Sequence, residues 1–77
     1  MMKTVMKTGK KYKVIVDPDG NFDEGEIVIA TENSDEHHGC SFCIPADMYI
    51  PGLEWGKYDD DTRSYIWSLC DESVEEA

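Results

Sequence analysis

The residues best suited to chemistry are His37-His38-Gly39-Cys40-Ser41-Phe42-Cys43 and the distant Cys70. A Cys-x₂-Cys pair, a nearby histidine and a remote cysteine have the make-up of a tetrahedral zinc site. A metal would also stiffen a small domain whose core is thin. The local pattern argues the other way. Cys40–Ile44 reads as a strand, and strand residues three apart point to opposite faces, so Cys40 and Cys43 do not converge on one ion. The competing reading puts Cys40 in the core with Phe42 and Ile44 and leaves both histidines in a polar loop. A Cys-x-x-Cys redox pair draws its reactivity from a helix N-terminus, and Ile44-Pro45 begins no helix. The expectation is no metal and no cofactor. His37, His38, Cys40, Cys43 and Cys70 are the zinc candidates, and a small structural zinc module is kept as an alternative.

Asp17, Asp19, Asn21 and Asp23 place oxygen ligands at alternate positions, like the start of a calcium loop. Phe22 stands where that loop needs glycine and Val28 where it needs a bidentate glutamate, so the segment reads as a solvated turn. The chain has no Gly-x-Ser-x-Gly elbow, glycine-rich phosphate loop or His-Glu-x-x-His. Carboxylates are plentiful, but none sits in an apolar stretch that would raise its pKa. The chain is read as non-enzymatic.

The elements that would position these residues are short. Lys11–Val16 alternates as a strand with Tyr12, Val14 and Val16 on one face. Asp17-Pro18-Asp19-Gly20-Asn21 breaks it with turn chemistry, and Phe22 is expected to fold back onto the core. Glu26–Thr31 is a second strand with Ile27 and Ile29 facing inward, Cys40–Ile44 a third, and Ser64–Leu69 a fourth with Tyr65, Trp67 and Leu69 inward. Asp71–Glu75 has room for a helical turn or a final strand. Pro45, Pro51, Gly52 and Gly56 interrupt 45–62, which reads as one irregular insertion between the third and fourth strands. No amphipathic helix is available to cover a sheet, so the strands are expected to curl into an all-β barrel.

The chain has 77 residues with seven basic and seventeen acidic side chains, a net charge of −10. That length allows one domain. Residues 1–13 carry five lysines and no acid, whereas 14–77 carry Lys57 and Arg63 against all seventeen acids, 2 − 17 = −15. Residues 1–8 read as a flexible basic tail and 9–77 as the barrel. The acidic body disfavours direct contact with nucleic-acid backbones or anionic membranes. No apolar run of roughly 7–15 residues follows the lysines, and none approaches a span of about 20. Three cysteines are a poor disulfide framework, so a reducing cytoplasm is expected.

Gly9-Lys10-Lys11-Tyr12-Lys13-Val14-Ile15, then Phe22-Asp23-Glu24-Gly25-Glu26-Ile27-Val28, then Trp67-Ser68-Leu69 before an acidic end, resemble the small SH3-like barrel proteins of bacteria and phages. The resemblance implies a five-stranded barrel and an adaptor role. In size and acidity the chain also looks like phage early host-takeover proteins.

These readings converge on an acidic protein-interaction module that modulates or inhibits a host or cellular protein with a basic or mixed surface. Met48, Tyr49, Leu53, Trp55 and Tyr58 supply aromatic and apolar anchors, and Asp59, Asp60 and Asp61 supply charge. The competing reading of this segment is that it folds back and covers one end of the barrel. A second functional alternative is a DNA mimic whose acids occupy a nucleic-acid-binding cleft.

Overall fold

The computed structural model describes residues 4–51 and 65–77. Among these the chain is all-β: β1 (Lys11–Val14), β2 (Ile27–Ala30), β3 (Cys40–Pro45), β4 (Trp67–Cys70) and β5 (Val74–Glu76). They form one sheet in the order β4-β3-β2-β1-β5, every neighbouring pair antiparallel, curled into a half-barrel. Short 3₁₀ turns at Ser34–His37, Ala46–Met48 and Asp71–Ser73 join the strands, the last between β4 and β5.

The inner face is held by Tyr12, Val14, Val28, Ala30, Cys43, Leu69 and Val74, with Phe22 folded onto them from the turn. A second cluster lies on the opposite face of β3, where Ile44 and Ile66 are buried and Phe42, Met48 and Tyr49 pack against them. The sheet is therefore apolar on both sides of β3, and this corrects the single core face read from the sequence. Ile27-Val28-Ile29-Ala30 is apolar at every position, so alternation cannot choose its inward face. Register chooses it: Tyr12 pairs with Val28, which turns Val28 and Ala30 inward. Ile27 is exposed, while Ile29 is buried without joining the inner cluster. Val16 is exposed because β1 ends at Val14 and the chain turns away, Ile15 and Val16 both donating to the Ser73 carbonyl.

The Asp17 turn is closed by its own carboxylate. Oδ1 accepts the Asp19 N–H at 3.1 Å, and Oδ2 accepts those of Asn21 and Phe22 at 2.8 and 3.0 Å. Gly20 takes φ 75°, a backbone shape that glycine adopts without steric cost. The carboxylate thus serves the backbone, as the solvated-turn reading requires.

Part of the residues assigned to a basic tail is built into the fold. Met6 is fully buried in the inner cluster. Its N–H donates to Ser34 Oγ at 2.8 Å and to Asp71 Oδ1 at 3.3 Å, and its carbonyl accepts the Ser34 N–H at 2.9 Å. The buried Tyr12 hydroxyl accepts the Lys7 N–H at 2.8 Å, and the Asn33 side chain accepts the Thr8 N–H at 2.8 Å. Three long-range partners, Ser34, Asp71 and Asn33, and the nearby Tyr12 fix this short segment, so Lys7 lies against the acidic body.

Candidate functional site

The five zinc candidates are divided by the sheet. Cys43 lies on the inner face, fully buried, its Sγ 3.7 Å from Met6 Sδ. Burial pushes its thiol up to about 12, with Glu32 and Asp71 adding negative charge, so it stays protonated and inert. Cys40 has the opposite parity on β3 and lies on the outer side, not in the core where the sequence reading put it. Directly across from it on β4 is Cys70, and the two Sγ atoms are 3.0 Å apart.

Local backbone chemistry explains why β3 begins at Cys40. His38 ends the 3₁₀ turn in the left-handed region at φ 58°, and Gly39 follows at φ 87°. These two residues reverse the chain, and the Asp71 N–H then donates to the Gly39 carbonyl at 2.8 Å. That bond makes Cys40 and Cys70 a non-hydrogen-bonded cross-strand pair, in which facing side chains approach most closely. His38, Gly39, Cys40, Cys70, Asp71 and Glu72 line a shallow cleft of about 160 Å³. The Cys70 thiol is pushed up to about 11, first by its hydrogen bond with Cys40, then by partial burial and by the negative charge of Glu72 and Asp71.

His37 is engaged elsewhere. Its Nε2 lies 3.0 Å from Glu32 Oε2, while Glu32 Oε1 accepts the Phe42 N–H at 3.2 Å. Among the described residues no group of three or more His, Cys, Asp or Glu side chains is disposed to hold a metal ion. The pair that matters is Cys40 with Cys70, whereas the local Cys40-x-x-Cys43 spacing drew attention to the wrong partner. Strand parity separates Cys40 from Cys43, but only the β3–β4 register joins Cys40 to Cys70.

Of the candidate partner-binding residues, Met48 and Tyr49 are half-buried and pack against Ile44 and Ile66. Leu53, Trp55, Tyr58, Asp59, Asp60 and Asp61 lie outside the described residues. The residues that bracket that segment are apolar and exposed: Ile50 at 47% before it, and Tyr65 and Trp67 at 49% and 42% after it. Tyr65 and Trp67 were expected in the core. Tyr65 precedes β4, and of the four β4 residues only Leu69 is buried.

Three of the five lysines in residues 1–13, one of them in the expected 1–8 tail, reach acids of the body. Lys7 meets Asp35 at 3.2 Å, Lys10 meets Glu76 at 2.7 Å and Lys13 meets Glu75 at 3.9 Å. The Lys10 ammonium holds the Glu76 carboxyl below its usual range through their hydrogen bond, and Lys10 is raised in return. All three pairs are solvent-exposed, so each contributes little to stability. Among the described residues no helix is long and apolar enough to cross a membrane. Comparison of the chain with family models, curated proteins and solved structures returned no match.

Proposed function

We propose that this chain is a non-enzymatic, acidic interaction module that acts by occupying a basic or mixed surface on another protein in the cytoplasm. The observation that carries this reading is the exposed apolar set Ile50, within the 45–62 insertion, and Tyr65 and Trp67, after it, in a chain of net charge −10. Large apolar side chains held at the surface serve as anchors, and surrounding acids steer a basic partner toward them. The contact surface consists of these residues together with Leu53, Trp55, Tyr58 and Asp59–Asp61, while Met48 and Tyr49 brace its start.

The strand order β4-β3-β2-β1-β5, with a 3₁₀ turn before β5, supports the resemblance to small SH3-like barrels with an insertion between the third and fourth strands. Such barrels present partner sites on their connections, and the phage-type reading makes the partner a host protein whose activity is modulated by binding.

The test is a pull-down from bacterial lysate with the wild type, a Trp55→Ala/Tyr58→Ala variant and a Trp67→Ala variant, repeated across salt concentrations. Loss of the same partner with both variants, and modest salt sensitivity, is expected. Equal recovery by all three proteins would sink the insertion as the contact. Steep salt dependence with competition by DNA would replace this reading with the DNA mimic.

A further inference from the structure

We propose that Cys40 and Cys70 are a modification site at which a reversible cross-strand disulfide forms, clamping β4 to β3 and closing the loop that carries the insertion. Three observations converge on it. The two residues are Cα partners in the β3–β4 register. They occupy a non-hydrogen-bonded position, framed by the bond from the Asp71 N–H to the Gly39 carbonyl, where the usual Cα separation falls within the range a disulfide spans. Their sulfurs already touch at 3.0 Å, and both line an open cleft, so an external reagent reaches them.

Competing outcomes are blocked by the same geometry. Cys43, the third thiol, is fully buried on the opposite face of β3 and does not share the cleft. The two facing sulfurs have no third Cys, His, Asp or Glu disposed with them for a metal among the described residues.

The oxidant is a low-molecular-weight disulfide. One cysteine thiolate attacks a sulfur of the external disulfide, breaking its S–S bond and releasing one small thiolate. The second cysteine thiolate then attacks the protein sulfur of the mixed disulfide and expels the other. The two protons lost by the cysteines end on the two released thiols, and the external disulfide takes the two electrons. Asp71 and Glu72 line the cleft and repel anionic reagents, so a neutral disulfide reacts faster than an anionic one. The Cys70 thiol, raised by its hydrogen bond with Cys40, leaves a disulfide slowly, which favours persistence of the closed form.

The experiment treats the reduced full chain with hydroxyethyl disulfide, quenches in acid, then alkylates under denaturing conditions and maps the peptides by mass spectrometry. The wild type is expected as a monomer lighter by about 2 Da before alkylation, the two hydrogens lost. It should take one label, on Cys43, instead of the three its cysteines allow. The same reaction in denaturant should scatter pairings among all three thiols. Cys40→Ser and Cys70→Ser should each retain a stable mixed disulfide on the remaining partner. A native cross-link containing Cys43, a disulfide-linked dimer as the main product, or stable mixed disulfides on both Cys40 and Cys70 of the wild type would overturn the proposal.

Discussion

Replacing Met6 by alanine separates the two descriptions of the N-terminal segment. In the structure this side chain is fully buried among Tyr12, Val14, Cys43 and Leu69, and its backbone bonds to Ser34 and Asp71 do not depend on the side chain. The substitution therefore removes only packing. Loss of Cγ, Sδ and Cε forfeits about 2.4 kcal/mol of transfer free energy at roughly 0.8 kcal/mol per group. The cavity left behind raises the cost to about 3 kcal/mol, within the usual range for buried Met→Ala. For a domain of this size that lowers Tm by roughly 12–24 °C. The assay is urea and thermal unfolding followed by far-UV circular dichroism, with Val5→Ala as the control because Val5 is 41% exposed. Met6→Ala should shift the transition without changing its slope, and Val5→Ala should stay within about 0.5 kcal/mol of the wild type. If Met6→Ala proves as mild as the control, Met6 is not a core residue and the segment is a tail.

Three other outcomes follow from the geometry. Asp17→Ala removes the acceptor for three backbone N–H groups and should cost about 1–2 kcal/mol by urea titration, whereas calcium should leave the wild-type midpoint unchanged. The Lys10–Glu76 pair depresses the carboxylate and raises the ammonium. Its contribution is therefore present above the unfolded Glu pKa and below the unfolded Lys pKa, fading as pH falls through the Glu76 value or rises through the Lys10 value. Lys10→Ala should return the Glu76 carboxyl toward its ordinary range in a side-chain NMR titration. Oxidation of Cys40 and Cys70 closes a loop of about 30 residues, which the chain-entropy relation values at about 3.6 kcal/mol, so the oxidised protein should melt roughly 15–25 °C above the reduced one in calorimetry.

The sequence was legible where one signal sufficed. Tyr12 and Val14 alternate with lysines, Phe22 is the apolar residue of its turn, and all three are buried as their patterns require. The inward face of Ile27–Ala30 was not legible, because a run of four apolar residues carries no period and only pairing with β1 sets its face. Met6 was hidden for a different reason. Its partners Ser34 and Asp71 lie 28 and 65 residues away, and nothing in Met1–Lys7 announces them. For the candidate site, strand parity separated Cys40 from Cys43, but joining Cys40 to Cys70 needed the β3–β4 register across the long connection. The exposure of Tyr65 and Trp67 was likewise not legible, because alternation places them on the face of the buried Leu69.

The pairing of β1 with β5 also constrains how the molecule comes into being. Tyr12 sits opposite Glu76, a separation of 76 − 12 = 64 residues, so one edge of β1 has no partner until nearly all of the described chain has been made. The meander β1–β2 can assemble early from local contacts, but sheet completion waits for a long loop to close, at an entropic cost set before any reward is collected. On a ribosome adding about 5–20 residues per second, that interval leaves β1 open for several seconds. Lys11 and Lys13, standing on the solvent side of that strand, place like charges along the open edge and discourage its pairing with another nascent copy.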